Sequence, residues 1–307
     1  MTEDLGTTIR DGFETWTKNL SICLPFVFSW ILTSIVVLVI LGVAVLATLP
    51  ALVSNLDAFD ELPPELIFQQ LPLLFQNVGI ILIAVAIAII VSMVIDAFFW
   101  AGAIGMAKEA IKTGHTDLSQ MIEYGKRKYV SIFVTNLIIG LLSLVGLVFL
   151  IPGILSILPK LSRLPALSES EVFTLIALFG VGFLAFILYT IIISILFALP
   201  RYVVVINDVG AVDGIKTGLT CFMRNKLAVF LLWLVIVAVN ILATAFGALP
   251  YIGGIIMLVL LLVVVLPLTV IWWSRLYLSI VETPGLEAGA GSDTEAETEE
   301  QNPFGEI

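Results

Sequence analysis

Charged side chains are rare in the long apolar stretches of this 307-residue chain, so the few found there mark where chemistry could occur. Asp96 is the sharpest of them. It sits in an otherwise uncharged run, 12 positions before Lys108. At ~1.5 Å of rise per helical residue that separation is about 18 Å, which sets the carboxylate near mid-bilayer. A charge at that depth is costly unless it is protonated, hydrated or paired. Two roles follow: a structural tie between helices, or a proton- or ion-handling acid. Arg275 is the candidate partner, because Trp272-Trp273-Ser274 place it in the last turns of its own apolar run. Its depth then differs from that of Asp96 by about 8 Å. Alternatively, Arg275 snorkels to the inner interface. Asn136 and Asn240 are the other polar candidates, and amides inside apolar runs suit hydrogen bonds between helices.

Lys126-Arg127-Lys128, Arg224 and Lys226 stand just before apolar runs, and are the candidate contacts for anionic lipid headgroups. Other chemistries lack their residues. His115 is the one histidine of the chain, and Cys23 and Cys221 are far apart, so neither a metal centre nor a Ser/Cys nucleophile with an activating base is expected. No Gly-rich phosphate loop with its Lys and Ser/Thr occurs. The expectation is a chain without cofactor and without enzyme activity.

The elements that hold these residues follow from composition. Hydrophobic residues make up 60% of the chain and charged ones 12%, too apolar for a soluble domain. The fold class is therefore all-α integral membrane. Six apolar runs exceed the ~20 residues needed to cross hydrocarbon: about 21–49, 77–107, 130–158, 172–199, 227–248 and 255–281. Twelve of the fourteen Lys and Arg fall on one side of this arrangement, Lys160 and Arg163 on the other. The positive-inside rule then puts the first side, and both termini, in the cytoplasm, with the protein in the cell membrane. The acidic segment 50–76 belongs outside. Residues 282–307 hold eight Asp or Glu and no Lys or Arg, and read as a disordered cytoplasmic tail able to dock a protein partner. Acidity concentrated in a tail gives no support to nucleic-acid binding.

Short amphipathic stretches precede the spans. Residues 209–224 place Val212, Ile215, Leu219, Phe222 and Met223 on one face, Asp213, Lys216 and Arg224 on a second, and Gly210, Gly214 and Gly218 on a third. Residues 5–20 form a looser version. Asp117 with Gln120 opens a third as a capping box. Each is followed by a Lys- or Asn-containing junction and two apolar runs, which predicts three helical hairpins, each preceded by a short interfacial helix on the cytoplasmic side. Pro152, Pro200 and Pro267 mark kinks.

Phe197-Ala198-Leu199-Pro200-Arg201-Tyr202-Val203, the glycine stripe 210–218 and Arg224-Asn225-Lys226 resemble a family of uncharacterised prokaryotic multi-pass membrane proteins. So does Ala101-Gly102 followed by 107–114. That family includes the membrane domain attached to some glycerophosphodiester phosphodiesterases. The resemblance covers residues 1–281 and implies a membrane domain; no segment here is long enough for the ~250-residue catalytic barrel. The functional expectation is a non-enzymatic membrane module that interacts with lipid or docks partners. The alternative is a small transporter or channel using Asp96 as its coupling acid.

Overall fold

The structure, a computed structural model, describes residues 4–48, 77–159 and 168–282. The expected outer acidic segment, the connector carrying Lys160 and Arg163, and the acidic tail beyond Glu282 lie outside them. The described chain is helical: α1 (Leu5–Lys18), α2 (Leu24–Thr48), α3 (Val78–Thr113), α4 (Leu118–Val145), α5 (Ile151–Ile157), α6 (Glu169–Leu196), α7 (Pro200–Ile206), α8 (Ala211–Arg224), α9 (Lys226–Ala245), α10 (Gly253–Leu260) and α11 (Leu266–Val281). Six stretches are long and apolar enough to cross a membrane: Leu20–Thr48, Val78–Thr113, Leu118–Ile157, Ser170–Ile206, Lys226–Ala248 and Gly253–Val281. They overlap the six expected runs.

Local chemistry sets several boundaries. Gly114 ends α3 in the left-handed conformation at φ 79°, which costs glycine no Cβ clash. Asp117 and Gln120 form the reciprocal capping box that starts α4. From there α4 runs unbroken through Lys126-Arg127-Lys128 into the third span. The stretch expected as a separate surface helix near residue 117 is thus the first turns of that span. Nothing between 118 and 130 interrupts the backbone ladder, since Gly125 is filled by the Phe98 ring instead of breaking the helix. The expected break at Pro152 begins earlier, at a 3-10 turn over Gly146–Leu150.

Pro267 acts through its missing N–H. The carbonyl four residues back, Val263, loses that donor, and residues Leu261–Val265 open into a π turn. The freed Val263 oxygen accepts from the Trp16 indole of α1 at 3.0 Å. Two more bonds fasten α1 to α11: Trp272 Nε1 donates to the Ile9 carbonyl at 3.1 Å, and Arg275 meets Asp11 at 3.1 Å.

The core lies towards the end that carries these contacts, around α7, whose Val203, Val204 and Val205 are fully buried. The α8 glycines allow close packing there. A Cβ on Gly214 would stand 2.2 Å from Val204, and one on Gly218 2.8 Å from Pro200. The most extensive helix pair is α3 with α4, which the expected scheme assigns to different hairpins; only residues 114–117 separate them, so they are forced side by side. Away from this end α2 stays packed on α3 and α5 on α6, and Leu38, Ile83, Leu155 and Phe173 face outward. Such surface is stable against lipid tails and not against water.

Candidate functional site

Asp96 projects from α3 towards α2, where the Ser29 hydroxyl donates to its Oδ1 at 2.6 Å. Its carboxyl borders two cavities. One, of about 290 Å³, runs along Val37, Leu41 and Ser92; the other, of about 260 Å³, includes Ser29, Thr33, Ser34 and Trp100. The Thr33 hydroxyl is buried with no hydrogen-bond partner among the described residues, a polar orphan beside the acid.

Arg275 is not the partner of Asp96. It borders a cavity of about 590 Å³ with Ile111 and Lys112, and Lys112 stands 16 residues beyond Asp96 on α3. That is about 24 Å on a helix, beyond the reach of any side chain. The depth estimate erred because α11 is anchored by its Trp272 and Arg275 contacts to α1, which hold the guanidinium at the end of the bundle. The asparagines do not join Asp96 either. Asn240 Nδ2 donates to the Ile236 carbonyl of its own helix at 2.8 Å, and the buried Asn136 Oδ1 has no partner among the described residues. Neither borders the Asp96 cavities.

A cation that sequence reasoning assigned to topology alone takes the neighbouring place. Arg201, at the start of α7, lies 5.5 Å from the centroid of the Trp100 ring. Trp100 is one helical turn from Asp96, and it borders both the Asp96 cavity and another of about 290 Å³ lined by Arg201, Ser143, Thr190, Ser194, Trp233 and Thr269 among others. Asp96 acts on Arg201 through space, with no ion pair between them. The available signal was Pro200: a proline at the first helical position starts a new helix, here one whose Tyr202 to Ile206 are buried in the core beside Arg201.

At the cation-rich end the basic cluster divides. Lys128 is buried; its Nζ meets Asp208 Oδ1 at 2.6 Å and donates to the Val209 carbonyl at 3.2 Å. Arg127 reaches Asp208 at 3.4 Å and Glu123 at 3.6 Å, and lies 4.7 Å from the Tyr124 ring centroid. Lys108 donates to the Ile206 carbonyl at 3.0 Å. These bonds hold Asp208 in the left-handed region at φ 61°, and the hydrogen bond from Lys128 keeps its carboxyl below the usual range. Lys128 therefore pins the turn between α7 and α8, whereas Lys126, Arg127, Arg224 and Lys226 stay exposed.

Six apolar spans carrying a few enclosed polar groups define a multi-pass α-helical membrane protein. The chain belongs to the family described as domain of unknown function DUF7847, whose model matches residues 31–271. A protein of Archaeoglobus fulgidus described as "Uncharacterized protein" is similar to it: 26% identical over 290 residues, covering 90% of this chain and 96% of that protein. These matches show no link to the membrane domains of glycerophosphodiester phosphodiesterases. No solved structure matches significantly.

Proposed function

We propose that this protein is a non-enzymatic module of the cell membrane, with both termini cytoplasmic, that engages anionic lipid. The observation that supports it most is the cation-rich end. There α1 and α8 are fastened to the spans, yet Phe13, Val212, Met223 and Leu227 stay exposed beside Arg224 and Lys226. Apolar and cationic side chains sharing an exposed surface suit a headgroup layer, where each Lys or Arg near an anionic surface contributes about 1 kcal/mol.

The test uses the chain's tryptophans. In phosphatidylcholine vesicles containing brominated phosphatidylglycerol, wild-type fluorescence is expected to be quenched several-fold more effectively than by brominated phosphatidylcholine. Replacing Lys126, Arg127, Arg224 and Lys226 with Gln should remove most of that preference, as should high salt. Equal quenching of wild type by the two lipids would remove the reading.

The cavities at Asp96 favour a second reading, in which the acid relays protons across the membrane. Asp96 is held by a hydroxyl instead of a cation, next to the unbonded Thr33. On this reading proteoliposomes show a proton flux that Asp96→Asn abolishes. Flux no faster than from protein-free vesicles eliminates it.

A further inference from the structure

The Arg201 guanidinium has no contact ion pair; Asp96 acts on it only through space. Among the described residues no carboxylate lies within 4.0 Å of the guanidinium and no hydrogen bond to it is formed; it lies 5.5 Å from the centroid of the Trp100 ring. A guanidinium inside a membrane protein ordinarily pairs, meets backbone oxygens or borders water. Here the groove also holds Ser143, Thr190 and Ser194, and each hydroxyl donates to a carbonyl of its own helix at 2.8–2.9 Å. Their oxygens are left as acceptors and Arg201 is the charged donor. Thr190 and Ser194 are on the exposed side of α6, so the groove opens sideways between spans instead of into a sealed core.

Depth agrees with an occupant from the bilayer. Trp100 precedes Lys108 by 8 residues, which sets Arg201 about 12 Å inward from the cation-rich end. Ser143 is 15 residues beyond Lys128 on α4, about 22 Å inward by the same rise. A negative head beside Arg201 would thus lie short of mid-bilayer, with Ser143 and Thr190 deeper along the groove and the apolar flanks of α4 and α6 beside its tail.

We propose that the Arg201 groove binds the anionic head, a phosphate or a carboxylate, of one membrane amphiphile that enters between α4 and α6. Arg201 supplies the ion pair, and the Trp100 ring beside it leaves its N–H groups without a competing hydrogen-bond acceptor. The proposal rests on the lipid-engaging reading above but concerns different residues, so the two can fail separately.

Trp100, Trp233 and Trp273 line the groove and report its occupancy. The protein in phosphatidylcholine vesicles is titrated with brominated phosphatidylglycerol and, in parallel, with a brominated fatty acid. Wild type should show a saturable quenching component for at least one of them, absent with brominated phosphatidylcholine. Arg201→Gln should weaken that component about tenfold or more, and Arg201→Lys less, since a point charge replaces a bidentate fork. The variant with four Gln at the surface cations should retain it. Thr190→Phe, at an exposed position that leaves Arg201 intact, should block it too and covers the case in which Arg201→Gln does not fold. Persistence of the component in both Arg201→Gln and Thr190→Phe overturns the proposal. So does its displacement by millimolar inorganic phosphate, which would make the ligand a free anion. Loss in the surface variant alone overturns the groove and leaves the surface reading standing.

Discussion

Trp272→Ala is expected to cost about 3–5 kcal/mol. Trp272 is only 4% exposed and fills the contact between α1 and α11. Its indole lies against Gly12, where a Cβ would stand 2.3 Å from Cδ1, and its N–H meets the Ile9 carbonyl. Lipid cannot readily replace it, because this contact lies at the end of the bundle, level with exposed cations. Removing the ring leaves a cavity and unseats the helix that also carries Trp16 and Asp11. Trp272→Phe keeps most of the packing and loses one hydrogen bond, so about 1 kcal/mol is expected. Unfolding in mixed micelles, followed by denaturant titration, separates the two. Limited proteolysis within residues 5–18 should accelerate for the alanine variant. An alanine variant as stable as the phenylalanine one would mean that α1 is not seated on α11.

Gly102→Ala should destabilise by about 1–3 kcal/mol, although it adds one methyl group. The added Cβ would lie 2.7 Å from the carbonyl oxygen of Met121 and 2.6 Å from its Cγ. A side chain can rotate away; the backbone of α4 cannot move without shifting Asp117, Lys128 and the bonds they make. Gly42 and Gly140 are the controls, since a Cβ there would meet nothing within 4 Å. Alanine at either position should be neutral or stabilise by up to ~1 kcal/mol through helix propensity. Thermal unfolding of the three variants in one detergent measures the contrast. Equal shifts would show that α3 and α4 are not in the close contact described.

Legibility differed between backbone and side chains. The capping box at Asp117 and the terminal Gly114 could be read locally, because each depends on residues within one helical turn. So could the glycine stripe of α8 as a site of close helix approach, though not its partner, the Pro200 helix. Gly210 belongs to the stripe in sequence but serves as the residue before the helix start. Arg275 and Arg201 were the harder cases. Both are Arg near the end of an apolar run, and hydropathy treats them alike. One meets Asp11, from the far terminus of the chain; the other stands on a short helix that breaks from α6 at Pro200.

By itself the sequence determined that lipid is the solvent, that six segments can cross it, and at which end the cations gather. Hydrocarbon solvates no free backbone polar group and admits few charges, so length and polarity along the chain carry that information locally. Tertiary structure decided which charge meets which: Trp16 with a carbonyl 247 residues away, Arg275 with Asp11, Lys128 with Asp208, and Arg201 with an open groove. Those pairings depend on the rotation and depth of each helix, and both are fixed by contacts between residues distant in the chain.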